Sequence, residues 1–269
     1  MEVHFIDVGC GNMILIRTST RIVFCDCNIT GDNEARVLGY LRRVLGSNSS
    51  IDIFICSHRD ADHMRGIKRL HSMFPISTIF DSGVTGTSPD SDEYQAYMDL
   101  RRTVGYREVA AQTQVKYGDT KFRFMNSKYS DYTEPNEQSI VLKLEHDAGS
   151  SCLLTGDTNF RPWKEKILPY YDNQSVKSNI FLAPHHGSLT FFGDPSDPYI
   201  EHIKTIAPEM TLISVGPNVH GLPDKKAVEL YTKYSTGSDK GNKVFSTGTK
   251  GTMRLVLKDE GGWILHTGE

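Results

Sequence analysis

Four residues of types that commonly bind metals lie within the segment SHRDADH, residues 57–63. His58 and Asp60 are two positions apart at the end of an apolar run. Alternate residues of an extended strand point to the same side, so this pair can chelate one ion. Asp62 and His63 follow where the chain is expected to turn into a helix, and they can reach a second ion. A packed core does not tolerate such groups unpaired, so the segment predicts metal binding.

Polar clusters follow other apolar runs of the chain in the same way. They contain Asp157, His185, His186 and His220. Loops at strand ends hold functional groups on a fixed backbone and leave room for a substrate. Asp157 could bridge two ions, and one of the paired histidines could complete the set. Two such ions would lower the pKa of water toward ~7 and stabilise the attacking and leaving oxygens of a displacement.

Hydrophobic periodicity predicts the elements that position these residues. Helices are predicted at 33–45, 64–74 and 92–104. Strands are predicted at 3–9, 13–18, 21–27, 51–58, 76–83, 139–146, 151–157, 179–184, 210–216, 252–259 and 263–266, with short strands around 108–125. The polar segment 126–137 is expected to be a mobile loop over a site. This alternation favours one layered α/β domain spanning residues 1–269.

Composition limits the classes of partner and compartment. The net charge of −3 argues against a polybasic surface for nucleic acid, although a local groove stays possible. No apolar run approaches the ~18 residues that span a bilayer, and the first residues form an alternating strand rather than a signal peptide. The cysteine count of five is odd, and most cysteines lie in apolar runs, which predicts reduced thiols. We therefore expect a cytoplasmic protein without a membrane partner.

The motifs HRDADH, LLTGD and APHHGS occur in this order and together resemble the metallo-β-lactamase superfamily. FIDVGCGN near the start and SVGPNVHG near the end resemble the branch that includes the hydrolase domain of ComEC-type DNA-uptake channels. The phosphorylcholine esterases share the pattern of an Asp followed by His-His-Gly. The resemblance extends from about residue 3 to 266. It implies an α/β (α+β) fold, a four-layer αββα sandwich with two metals at the rim between the sheets.

The resemblance also implies a role for each polar residue. The metal ligands would be His58 and Asp60 at the first ion, Asp62, His63 and His186 at the second, and Asp157 between them. Asp62, His185 and His220 would be the catalytic residues. His185 would contact a substrate phosphate or protonate the leaving group, and His220 could play the same part or orient a ligand. Asp7 and Asn12 would lie at the rim and support ligands.

Two departures from the wider superfamily affect the metals. Asp60 stands where histidine is commoner, which makes the site harder and more anionic and favours manganese or magnesium beside zinc. Many members place a further histidine before the strand that leads to the bridging Asp. This chain has Asn136, Glu137 and Ser139 in that region. We therefore expect two divalent ions, zinc or manganese, with the first one weakly held.

The ligand set predicts a metal-dependent hydrolase that uses a metal-activated hydroxide. The resemblance implies that the substrate is a phosphodiester, with nucleic acid as the leading candidate. The protein would then be a phosphodiesterase or nuclease. One alternative is a small ester, lactone or cyclic nucleotide as substrate, and another is a non-catalytic, metal-stabilised partner module. A groove lined with Lys and Arg would favour a polymer, and a deep apolar pocket would favour a small molecule.

Overall fold

The computed structural model of the protein describes residues 1–237 and 241–269. Most strands are short, apolar and buried, as their β-branched and aromatic composition predicts. The strands are β1 (Glu2–Phe5), β2 (Ile14–Arg17), β3 (Ile22–Cys25), β4 (Cys27–Asn28), β5 (Ile51–Ile55), β6 (Ile76–Asp81), β7 (Gly105–Glu108), β8 (Gln114–Tyr117), β9 (Thr120–Asn126), β10 (Val141–His146), β11 (Ser151–Leu154), β12 (Ile180–Leu182), β13 (Met210–Ile213), β14 (Val244–Ser246), β15 (Met253–Leu257) and β16 (Trp263–Thr267).

Helices separate many of these strands. They are α1 (Glu34–Leu45), α2 (Ala61–Met64), α3 (Ile67–Met73), α4 (Asp92–Arg101), α5 (Phe160–Pro162), α6 (Leu168–Tyr170), α7 (Asn173–Val176), α8 (Glu201–Ile206), α9 (Lys225–Tyr234) and α10 (Thr247–Lys250). A π-helical turn, Trp163–Ile167, joins α5 to α6, and 3-10 turns lie at Asn136–Gln138, His185–Gly187 and Leu189–Phe191. None of the described helices is long and apolar enough to cross a membrane.

All of these strands except β4 form two mixed sheets. The first has the order β16-β15-β1-β2-β3-β5-β6-β7, and the second has the order β14-β13-β12-β11-β10-β9-β8. β3, β5, β6 and β7 run parallel in the first sheet, as do β11, β12, β13 and β14 in the second. Parallel strands bring their carboxyl ends to one edge of a sheet. The loops after β5, β11, β12 and β13 carry the candidate metal-binding and catalytic residues of the sequence analysis.

The core defines four layers. Side chains of both sheets, among them Phe5, Ile55, Phe124 and Leu182, pack together between the sheets. The outer face of the first sheet is covered by α1, α3 and α4, and the outer face of the second by α8 and α9. The predicted αββα architecture is therefore confirmed.

The predicted helix at 64–74 is wrong as a single element. Gly66 has a left-handed backbone, with φ of 76°, and divides it into α2 and α3. A Cβ at this position would lie 2.6 Å from Cβ of Ile29, so the close approach of the two segments requires glycine. The break leaves Asp62 and His63 on the single-turn helix α2, one turn before α3 begins.

The segment predicted as a mobile loop, 126–137, is anchored by hydrogen bonds. Asn126 donates its side-chain amide to the carbonyls of Glu137 and Ser139 at 2.9 and 2.8 Å. The Ser127 hydroxyl donates to the carbonyl of Val109, and the amide of Gln138 donates to the carbonyl of Tyr132. These bonds hold both ends of the segment to its surroundings.

No disulfide joins the cysteines in the structure: Cys10, Cys25, Cys27, Cys56 and Cys152 are all free. All except Cys10 are buried, and burial raises the pKa of those four thiols. They therefore act as small hydrophobic side chains.

His202 of α8 is buried among aromatic rings on the outer face of the second sheet. Its Nε2 donates to the carbonyl of Phe191 at 2.6 Å, and its Nδ1 accepts from the amide of Ile203 at 2.7 Å. The imidazole stacks on the Phe191 ring, with centroids 3.9 Å apart. Burial lowers the pKa of His202 to about 3, so the ring is neutral in the folded protein.

We expect His202 to make the fold acid-sensitive. Its folded pKa lies below the unfolded value of ~6.5, so protonation favours the unfolded chain. Its stabilisation is complete above pH ~6.5 and falls as the pH drops toward about 3. Between pH 7 and 4.5 the free energy of unfolding should fall by ~2.5 kcal/mol from this group. Urea titrations at several pH values should show a flatter pH profile for His202→Gln; an unchanged profile would contradict the assignment.

Candidate metal centre

Asp157, directly after β11, lies among three histidines. Its Oδ1 is 3.1 Å from Nε2 of His63, and its Oδ2 is 3.9 Å from Nε2 of His58 and 3.8 Å from Nε2 of His186. All four side chains are at least nine-tenths buried. Residues more than 90 positions apart in sequence thus meet where the two sheets approach each other at their strand ends.

Two groups of three residues bring ligand atoms within 4.8 Å of one another: His58, His63 and Asp157, and Asp62, His63 and His186. Ligands at ~2.0–2.2 Å from one ion have such separations. Nε2 of His58, Nε2 of His63 and Oδ1 of Asp157 are buried without a hydrogen bond of acceptable geometry. Buried polar atoms without a partner are costly, and a cation would satisfy them. The donor set therefore fits a pair of divalent metal ions.

Asp60 lies beside the first of these groups. Its Oδ2 is 3.6 Å from Nε2 of His58. Its Oδ1 accepts hydrogen bonds from the amide and the hydroxyl of Thr87, at 2.8 and 2.9 Å. One carboxylate oxygen is thus held by Thr87, and the other faces the histidine.

Asp26, between β3 and β4, orients His63. Its Oδ2 accepts from Nδ1 of His63 at 2.8 Å and from the Ser57 hydroxyl at 2.8 Å, while its Oδ1 accepts from the Ser57 amide at 2.7 Å. With Nδ1 as the donor, the lone pair of Nε2 is directed at Asp157. The sequence prediction missed Asp26, although a carboxylate inside the apolar run 22–29 was a signal for it. Its backbone is left-handed, with φ of 62°.

His185 and His186 point in different directions because of an unusual backbone. Both are left-handed, with φ of 50° and 53°, and Gly187 follows with φ of 82°. Such strain in non-glycine residues is concentrated at functional sites. His186 is buried: its Nδ1 donates to the carbonyl of Ser214 at 2.9 Å, and its Nε2 lies 3.0 Å from Oδ2 of Asp62. His185 is about one-third exposed, with Nε2 3.7 Å from Oδ2 of Asp157.

The carboxylates of Asp26, Asp62 and Asp157 concentrate negative charge at the centre. Burial would raise the pKa of Asp157, but His63, His186 and His58 hold that pKa well below its usual range. Burial would lower the pKa of His63, but Asp157, Asp26 and Asp62 raise it well above its usual value. These carboxylates require compensating positive charge, from protons on the histidines or from cations.

A cavity of about 970 Å³ opens over this cluster. Its lining includes Asp60, Asp62, Asp157, His185, Asn136, Arg36, Arg65 and His220. His220 is exposed at the rim, and no ion pair with the cluster is formed by its side chain among the described residues. Asp7 does not reach the cluster and pairs with Arg36 at 3.1 Å. The backbone N–H of Asn12 donates to the carbonyl of Asp62 at 3.2 Å, a contact that does not involve the Asn12 side chain.

No protein-family model matches the chain, and no curated protein matches it in sequence. Solved structures do resemble it. Igni18, a metallo hydrolase of the archaeon Ignicoccus hospitalis, has 13% identity and a TM-score of 0.55 over 99% of each chain. YhfI of Bacillus subtilis, a metallo-β-lactamase fold protein, has 14% identity and a TM-score of 0.52 over 94% of this chain and 99% of its own.

A third similar structure is CmlA, a diiron β-hydroxylase of Streptomyces venezuelae. It has 12% identity and a TM-score of 0.55, and the match covers 91% of this chain and 52% of CmlA. Identities this low establish the fold alone. The chain therefore has the metallo-β-lactamase fold, as its motifs predicted, while the resemblance to the ComEC-type branch stays a prediction. Since CmlA is a hydroxylase, the reaction must be argued from the site.

Proposed function

We propose that the protein is a metal-dependent hydrolase and that its substrate is a phosphodiester. The observation that carries this proposal is the pair of ligand groups that share His63 and adjoin Asp157 beneath an open cavity. When bound there, two metal ions would supply an activated water and stabilise the charge that develops on the substrate oxygens. Carboxylate-rich ligand sets suit the hard cations that commonly pair with phosphate oxygens.

Each residue of the centre has a part in this proposal. His58 and Asp60 would hold the first ion, Asp62, His63 and His186 the second, and Asp157 would lie between the two. Asp62 is one-third exposed to the cavity, and its Oδ2 lies 3.0 Å from Nε2 of His186, so both atoms can face the same ion. His185 reaches the cavity beside Asp157, where its ring can donate a hydrogen bond to the leaving oxygen. His220 would contact the substrate from the rim.

The charges of the cavity support a compact phosphodiester over a long duplex. Arg36 donates to Asp7, and Arg65 donates to Glu93, each at 3.1 Å. No lysine lines the described cavity. Proteins that track a nucleic acid backbone use rows of available Lys and Arg. A cyclic nucleotide, a short oligonucleotide or a strand end requires fewer such contacts.

The test is a substrate panel with Mn²⁺, Zn²⁺, Mg²⁺ or EDTA. The panel contains bis(p-nitrophenyl) phosphate, cyclic nucleotides, labelled single- and double-stranded DNA, RNA, p-nitrophenyl acetate and a lactone. We expect metal-dependent cleavage of phosphodiesters, fastest on compact ones. His63→Ala, which removes the nitrogen shared by both ligand groups, should be inactive, whereas His266→Ala, on β16, should match the wild type.

Two results would contradict the proposal in different ways. If only the carboxylic ester or the lactone is turned over, the protein is a hydrolase but its substrate is not a phosphodiester. A protein that binds metal and turns over none of the panel would remove the hydrolase assignment and favour a binding module. Preferential cleavage of long duplex DNA would keep the phosphodiester and overturn the preference for compact substrates.

A further inference from the structure

The 3-10 turn before β10 lies beside the cavity on the side of Asp157. Asn136 begins this turn, and its carbonyl accepts from the amide of Ser139 at 3.1 Å. The hydroxyl of Ser139 in turn accepts from the amide of Asp157 at 3.3 Å. The turn is therefore connected directly to the backbone of the central carboxylate, and its side chains are candidates for completing the first metal position.

Glu137 and Ser139 of this region already use their side-chain oxygens in hydrogen bonds within the protein. The Oε1 of Glu137 accepts from the side chain of Asn159, and its Oε2 accepts from Arg161, both at 3.2 Å. Ser139 is fully buried and is occupied with the Asp157 amide. Neither residue lines the cavity. Both serve to hold the turn and the central carboxylate in place.

Asn136 differs from both of these residues. It lines the cavity together with Asp60 and Asp157. Its Oδ1 is buried and has no hydrogen-bond partner. Leaving such an acceptor unpaired is costly, so an unpaired oxygen at a polar cavity indicates a missing partner. An amide oxygen is a good ligand for hard divalent cations.

We propose that the side-chain oxygen of Asn136 binds the first metal ion, together with His58, Asp60 and Asp157. The inference rests on the metal centre of the proposed function. The first ion then has one nitrogen ligand and otherwise oxygens, whereas the second has the nitrogens of His63 and His186. Oxygen ligands favour Mn²⁺ or Mg²⁺, and imidazole favours Zn²⁺. The two positions should therefore differ in metal preference, with an exchangeable Mn²⁺ at the first and a tighter Zn²⁺ at the second.

Metal binding itself provides the test. Protein carrying one equivalent of Zn²⁺ is titrated with Mn²⁺, and the binding is followed by calorimetry and by the electron paramagnetic resonance signal of free Mn²⁺. Wild type should bind one Mn²⁺ per chain. Asn136→Ala should weaken this ion by roughly tenfold or more, since even indirect support of a metal ligand is worth that much. Asn136→Asp, which keeps an oxygen, should retain or tighten it.

Asn48→Ala, at an exposed position outside the cavity, is the matched control and should bind as wild type does. Thermal melts of the four proteins show whether each variant folds. The role of the Asn136 oxygen would be overturned if Asn136→Ala bound Mn²⁺ as tightly as wild type. It would also be overturned if folded Asn136→Asp lost as much Mn²⁺ affinity as Asn136→Ala. Either result would leave the metal centre itself in place. A wild-type protein that binds neither Zn²⁺ nor Mn²⁺ would overturn the metal centre and this inference together.

Discussion

Asp157→Asn is expected to lose tight metal binding and to lower the rate of hydrolysis by ~10³-fold or more, because metal-based charge stabilisation is worth several kcal/mol and each 1.36 kcal/mol is tenfold in rate. The carboxylate lies within 3.9 Å of Nε2 of His58, His63 and His186, so it contributes to both metal positions. Asparagine has nearly the same shape but no charge. Metal content by plasma emission spectroscopy and the turnover of the best phosphodiester would both measure the loss.

The stability of the metal-free protein separates this effect from unfolding. The surrounding histidines hold the pKa of Asp157 well below its usual range, so its charge stabilises the metal-free fold and Asp157→Asn should lower the melting temperature of that form; a cooperative melt above the assay temperature would show that the variant is folded. Asp147→Asn, which affects only an exposed ion pair with Lys116, is the matched control and should bind metal normally. Retention of two tightly bound ions by Asp157→Asn would show that this residue is not central.

Asp26→Asn is expected to weaken metal binding by about 10–100-fold without touching a ligand directly. The Asp26 carboxylate accepts the Nδ1 proton of His63. An asparagine amide in the same place would present an NH₂ group to Nδ1 or to the Ser57 hydroxyl. Nδ1 would then become the acceptor, and Nε2 would carry the proton that blocks metal binding.

Chelator competition at neutral pH measures this loss of affinity. Asp26→Asn should also lower the free energy of unfolding of the metal-free protein by about 1–3 kcal/mol, since a fully buried acceptor loses bonds to Ser57. Asp52→Asn is the control, because Asp52 of β5 also accepts a backbone amide, from Ile22, but lies away from the cavity. Equal metal affinity in Asp26→Asn and wild type would contradict the tautomer argument.

The sequence predicts the main features of the candidate centre because parallel strands impose a simple geometry. Polar residues after β11 and β12 share one edge of the second sheet, and the packing of the two sheets brings the residues after β5 to the same edge, where Asp157 meets His63 and His186. The apolar strands and α1 were predictable for the same reason, since their buried faces follow the periodicity of extended or helical chain.

The remaining features depend on contacts between distant segments. The break at Gly66 depends on the position of Ile29. The ion pairs of Arg36 and Arg65 depend on the positions of Asp7 and Glu93. No local pattern contains these pairings. Helix α9 was missed because its fully buried side chains are only Ala227 and Tyr231, among lysines and other polar residues. The role proposed for Asn136 likewise required knowledge that Glu137 and Ser139 are already bonded.

The first sheet pairs β1 with both β2 and β15. Arg254 of β15 contacts Glu2 of β1, 252 residues away. At a synthesis rate of ~5–20 residues per second, β1 waits for tens of seconds on the ribosome before β15 emerges. During that interval β1 is an unprotected edge, which can pair with the edge of another nascent chain. Closure of this sheet is thus a late and slow step, because it joins strands whose contacting residues are 252 positions apart in sequence.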